Sequence, residues 1–128
     1  MKRQKNNNDC LQCCLSELLN GDYDRIPKFY ELYQFNRFYE ELDTWLNLMG
    51  YLRITIDVIY KDNKVEVPFH RSNKPYKCIG LLKKKGRKNN HAVLLKHCEG
   101  EFTIYDPQKN SDYEFEDLTH IEFIFKNN

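Results

Sequence analysis

Residues 4–19, QKNNNDCLQCCLSELL, set how the rest of the chain is read. Leu11, Cys14, Leu15, Leu18 and Leu19 recur at helical spacing and mark one apolar face, while Asn8 and Asp9 are residue types that cap a helix start. This pattern predicts a helix with Cys10 in its first turn. There, unpaired backbone N–H groups and the positive end of the helix dipole favour an anionic sulfur, which makes such a cysteine a candidate nucleophile. Attack on a carbonyl also needs a donor for the oxyanion that forms, and a side-chain amide can supply one. Gln4, six residues ahead, is placed to do so.

Gly21, after Asn20, is expected to stop this helix, and Asp22 to Phe29 reads as a turn containing Pro27. Phe35, Phe38, Leu42, Trp45, Leu46 and Met49 return at spacings of three and four, so residues 35–49 are predicted as a second helix, ended by Gly50. Its apolar stripe is a packing face. From Tyr51 the period becomes two: Leu52, Ile54, Ile56 and Val58 alternate with Arg53, Thr55 and Asp57, predicting a strand with one wet face. Residues 61–75 read as a loop with one short edge strand. Tyr76 to Leu82 and His91 to Lys96 are apolar runs joined by Lys83 to Asn90, where Gly86 and Asn89-Asn90 offer turn chemistry; this is a β-hairpin. Glu99-Gly100-Glu101 turns the chain into Phe102 to Tyr105, and Ile121, Phe123 and Phe125 supply a last strand. Two helices followed by a four- or five-stranded antiparallel meander is an α+β layout.

A chain of 128 residues is one domain, 1–128, with room for a real core. Twenty basic against nineteen acidic residues leave a net charge of +1, so no global field draws nucleic acid or an acidic membrane. No apolar run reaches membrane-spanning length and MKRQKNNND lacks a secretion signal, so the expected location is the cytoplasm. Five cysteines in such a protein are read as reduced thiols rather than a disulfide framework. With the chain starting so close to Gln4, no N-terminal propeptide is expected, and control of the site is expected to be external.

A thiol nucleophile needs a base to take and return its proton, and a third group to orient that base. His91 opens one strand and Asp106 closes the next, across a hairpin turn at Gly100. Neighbouring antiparallel strands bring the start of one beside the end of the other, so the two side chains can share an edge of the sheet. No cofactor is called for. His70, His97 and His120 lack such support and are read as surface or satisfied polar residues.

Gln4, the pair Asp9-Cys10, the helix after it, Ile26-Pro27-Lys28-Phe29, His91-Ala92-Val93 and Tyr105-Asp106-Pro107 together resemble papain-like cysteine peptidases. The likeness is closest to the bacteriocin-processing peptidase domains of peptide-secreting ABC transporters and to small papain-like proteins of phage and bacteria. It implies a papain-like fold, in which an N-terminal helix bearing the cysteine packs on an antiparallel sheet. It also implies Cys10 as nucleophile, His91 as base, Asp106 as orienting carboxylate and Gln4 as oxyanion donor. The activity implied is hydrolysis of a peptide, isopeptide or other amide bond in a peptide or protein substrate. Leu11 stands where the transporter-associated peptidases carry Gly, which implies a differently shaped cleft.

Rival readings start from the same residues. Cys10-x-x-Cys13 is half of a zinc motif, which His97-Cys98 or Cys78 would have to complete, and no second short pair exists. Oxidation could also join Cys10 to Cys13. Lys83, Lys84, Lys85, Arg87 and Lys88 make a basic hairpin tip able to meet an acidic partner or gate the site toward acidic substrates. A catalytically inactive descendant used as a binding module is the alternative from another class.

Overall fold

The computed structural model describes residues 3, 4, 9–29, 37–61, 64–66, 74–87 and 90–127. Runs of apolar residues without polar alternation make strands that are covered on both faces, and the central hairpin follows this rule. Strands β4 (Tyr76–Leu82) and β5 (His91–Cys98) pair antiparallel, with Gly80 opposite Val93. Successive side chains serve opposite layers. Ile79, Leu81, Ala92 and Leu94 join one core cluster with Leu15, Leu42 and Leu46, whereas Cys78, Leu82, Val93 and Leu95 join a second with Leu118, Ile121 and Phe123.

Helices α1 (Cys10–Leu18) and α2 (Phe38–Leu48) cover the first of these faces, α1 against β5 and β4, and α2 against β1 (Tyr51–Asp57). The architecture is therefore α+β, two helices on an antiparallel five-stranded sheet. A short separate hairpin joins β2 (Ile59–Lys61) to β3 (Lys64–Glu66), where a single edge strand was expected. After β5 come β6 (Glu101–Tyr105) and β7 (Leu118–Lys126), and the sheet order is β1-β7-β4-β5-β6. Only β4-β5-β6 is the expected meander. β7 returns to lie between β1 and β4 because both its faces are covered: Ile121 and Phe123 sit in the second cluster, while Glu122 is buried beneath Arg53.

Local signals at the helix ends were partly misread. Asn20, at φ +50°, takes the left-handed position that ends α1, ahead of Gly21, and Ser16 Oγ closes the turn by donating to the Gly21 carbonyl at 2.9 Å. Gly50, at φ +89°, does end α2 as expected, while Phe35 lies outside the described residues. β1 follows its hydropathy pattern only in part: Ile56 and the adjoining Val58 pack against the second cluster, with Thr55 and Asp57 exposed, but the first half of the strand departs from it. Leu52 and Ile54 are 44% and 43% exposed, and the Arg53 side chain, 12% exposed, faces the helical layer. It pairs there with Asp43 at 2.7 Å and with Glu122 at 2.9 Å.

Gly80 is needed for space rather than for its backbone freedom. A Cβ there would lie 2.8 Å from Leu118 Cδ1 and 2.9 Å from Leu95 Cδ1, both in buried side chains of the second cluster. Gly80→Ala is expected to cost about 1–3 kcal/mol by overpacking. A urea midpoint equal to wild type would count against this packing. Among the described residues no helix is long and apolar enough to cross a membrane.

Candidate active site

β5 begins at His91, and β6 runs back beside it with Tyr105 opposite Leu94. The chain leaves the sheet at the next residue, Asp106, and its carboxylate reaches the imidazole: Asp106 Oδ1 lies 2.7 Å from His91 Nε2. The loop that follows fixes this carboxylate. The Gln108 N–H donates to Asp106 Oδ1 at 2.8 Å, and the Ser111 hydroxyl is a further partner. Burial pushes the Asp106 carboxyl up, but the bonds from His91, Gln108 and Ser111 more than reverse this and hold it below the ordinary carboxylate range. The N-terminal segment is tied to the same turn. Gln4 N–H donates to the Pro107 carbonyl at 2.9 Å, and the Arg3 guanidinium donates to the Asp106 carbonyl at 2.9 Å. Gln4 is thereby brought beside the His91–Asp106 pair.

The sulfur arrives from the other layer. Because α1 packs on β5, Cys10 at its first position meets the strand's start, and the Ala92 N–H points at Cys10 Sγ from 3.4 Å. The thiol stands close enough to the imidazole to raise its pKa, and with Nε2 committed to Asp106 the nitrogen left to face sulfur is Nδ1. His91 itself is 6% exposed. Burial alone would lower its pKa, but the bonds to Asp106 and Cys10 and the negative charge near them raise it to about 9. Sulfur, imidazole and carboxylate thus meet at the start of β5.

No family model, curated protein or solved structure matches the chain. The reading of the site therefore rests on its own geometry.

Asp9 stands at the N-cap position of α1 but makes no capping bond, contrary to the expectation from its residue type. Its backbone, at φ −110° and ψ 17°, is not extended as a capping residue's usually is. The carboxylate is buried instead, where the Tyr23 hydroxyl donates to Asp9 Oδ2 at 2.5 Å and Cys13 Sγ lies 4.0 Å away. Gln12 Nε2 donates to the Tyr23 carbonyl at 2.9 Å, so the short 3-10 turn Tyr23–Arg25 braces the start of α1. All five cysteines are free thiols. Cys13 and Cys14 are fully buried, and burial, followed by the charges of Cys10, Cys13 and Asp106, pushes the Cys14 thiol well up. Both read as packing groups. Cys78 is sealed in the second cluster and Cys98 is exposed at the end of β5, and among the described residues no three His, Cys, Asp or Glu side chains gather as a metal site would need.

The other histidines divide. His97, 2% exposed, is buried between aromatic rings, stacked on Tyr76 at 4.7 Å and edge-on to Phe102 at 4.8 Å. His120 is satisfied by Asp57 at 3.0 Å and Thr119 Oγ1 at 2.9 Å, and His70 lies outside the described residues. Two of the basic-tip charges are already partnered: Lys84 with Asp117 at 3.0 Å, and Arg87 with both oxygens of Asp112. The expected attraction for acidic partners is correspondingly weakened. Next to the dyad an open groove of about 850 Å3 runs past Arg3, Tyr105, Asp106, Gln108, Tyr113 and Glu116, with Glu114 also on its wall.

Sequence reasoning missed Tyr23, Ser111 and Tyr113. Each lies in an irregular segment, where periodicity says nothing about which side chain turns inward.

Proposed function

We propose that the protein is a papain-like, cysteine-dependent hydrolase that cleaves an amide bond, in a peptide, isopeptide or side-chain amide, through a thioester. One observation carries this reading: Cys10 Sγ lies against the start of β5, 3.4 Å from the Ala92 N–H, beside His91, the first residue of that strand, whose Nε2 is held by Asp106 at 2.7 Å. A nucleophile joined to a base, with that base joined to an orienting carboxylate, is the arrangement acyl transfer requires.

The steps follow from those contacts. The thiol proton rests on His91 Nδ1, so sulfur attacks the carbonyl carbon as the thiolate, and the carbonyl oxygen becomes an oxyanion held by the Gln4 side-chain amide and the backbone N–H of Cys10. The C–N bond then breaks as His91 gives its proton to the leaving nitrogen, releasing an amine and leaving an acyl group on sulfur. Water attacks this thioester while His91 takes one of its protons. When the C–S bond breaks, the carboxylic acid leaves and the proton stays on His91 beside the freed thiolate. Asp106 keeps Nε2 engaged throughout, so Nδ1 always faces the reacting atoms.

The test is a thiol-directed probe that mimics an amide substrate, followed by mapping of the adduct on the whole chain. The adduct is expected on Cys10 and is expected to vanish in Cys10→Ser, with the fold unchanged. Cys98 is the informative competitor because it is exposed. Label found on Cys98 or Cys13 with Cys10 unmodified would remove the proposal.

A further inference from the structure

The imidazole has a third neighbour that the triad does not use. The Tyr113 ring lies on His91 with centroids 4.7 Å apart and planes 21° from parallel. Tyr113 belongs to the loop that fixes Asp106, since its N–H donates to Ser111 Oγ at 3.2 Å and Ser111 in turn bonds the Asp106 carboxylate. One loop therefore presents both the carboxylate that fixes Nε2 and the ring that covers the imidazole face.

The turn between β4 and β5 reaches the same ring from outside. Arg87 Cζ stands over Tyr113 at 5.0 Å, and Lys84 Nζ at 5.9 Å. Each cation is also anchored to a carboxylate close to Tyr113 in the chain, Arg87 at Asp112 and Lys84 at Asp117. A ring stacked on one imidazole face restricts rotation about the bond to Cβ and keeps water from competing for the His91–Asp106 bond. A cation over that ring adds an attraction that fixes the ring in turn.

We propose that Arg87 and Tyr113 are positioning residues for His91, the guanidinium seating the phenol ring and the ring holding the imidazole between Asp106 and Cys10. Their catalytic meaning rests on the hydrolase reading above, but the stack itself does not. The basic turn then serves the base inside the molecule rather than an acidic partner outside it.

The test compares full-length wild type with Tyr113→Phe, Tyr113→Leu and Arg87→Gln. Two quantities are read: exchange of the His91 Nε2 proton with water by NMR, and alkylation of Cys10 by iodoacetamide at about pH 6 and about pH 10. Tyr113→Leu is expected to speed proton exchange and to slow alkylation at the lower pH, each about tenfold, matching the upper value of an aromatic pair. At the higher pH, hydroxide replaces the imidazole as proton acceptor, and the rates should converge. Tyr113→Phe keeps the ring and should stay near wild type. Arg87→Gln, at an exposed position, should move both readings about threefold in the same direction as the leucine variant, the size of an exposed cation–ring contact.

Wild-type proton exchange in Tyr113→Leu or Arg87→Gln overturns the proposal, as does an equal loss in Tyr113→Phe and Tyr113→Leu. An equal slowing of alkylation at both pH values also overturns it, because that pattern marks general disruption. If proton exchange depends on Tyr113 as stated while wild-type Cys10 shows no reactivity at the lower pH, the stack stands and the hydrolase reading falls.

Discussion

For the proposed hydrolase, His91→Ala is expected to lower amide hydrolysis by roughly two to four orders of magnitude, the usual contribution of a positioned general acid–base group. The loss should fall on turnover more than on substrate binding, since the imidazole moves a proton and the groove beside Asp106 is lined by other side chains. Wild-type turnover should also decline as pH rises through about 9, where His91 gives up the proton that the leaving nitrogen needs. The alanine variant should lack that decline. The dyad has a matching signature in stability. The His91 pKa is raised from 6.5 to about 9, so its contribution is full below 6.5 and is lost as pH rises through about 9. The Asp106 pKa is lowered from 3.8, so its contribution is full above 3.8 and is lost as pH falls through the lowered value. Together they add about 1–2 kcal/mol between those limits, allowing for partial screening by water. Urea midpoints of wild type and His91→Ala measured across that range check the stability arm. A His91→Ala protein that keeps near-wild-type turnover would mean that another group serves as base.

Regular elements were the legible part of this chain, and the reason is energetic. Burial of a helix stripe or of a two-sided strand repeats along the sequence, so α1, α2 and the β4–β5 hairpin leave a period that can be read. The meeting of His91 with Asp106 was legible for the same reason, because pairing of successive antiparallel strands fixes which ends are neighbours. What escaped was set by contacts far apart in sequence. Asp9 has the composition of a cap, yet the Tyr23 hydroxyl, 14 residues on, draws its carboxylate inward. Tyr113 looks like one aromatic in a polar stretch until Arg87 and His91 are brought against it from another hairpin. The place of β7 between β1 and β4, and the burial of Arg53 on β1, bring Glu122 against Arg53 across 69 residues. No local pattern encodes a pair of that kind.

That pair yields the second large effect. Glu122, 1% exposed, accepts from Arg53 Nη1 at 2.9 Å, while Arg53 Nε reaches Asp43 at 2.7 Å and its Nη1 also reaches Thr55 Oγ1 at 2.6 Å. Burial raises the Glu122 carboxyl despite the attraction of Arg53, so desolvation of the charge exceeds what the partner returns. Glu122→Ala should therefore destabilise by about 3 kcal/mol, chiefly by leaving a largely buried guanidinium short of one carboxylate. Arg53→Met should cost a similar amount by stranding Glu122. Replacing both together, Arg53→Met with Glu122→Leu, removes both desolvated charges, and the double variant should return to wild-type stability or exceed it by about 1 kcal/mol. The pH dependence gives an independent sign. With its folded pKa above 4.5, Glu122 contributes fully below 4.5 and loses that contribution as pH rises through the raised value. The drop should be present in wild type and absent from the double variant. Urea unfolding of the four proteins decides it: losses that simply add in the double variant would mean that the two side chains are not coupled and that stranding a buried charge is not the dominant cost.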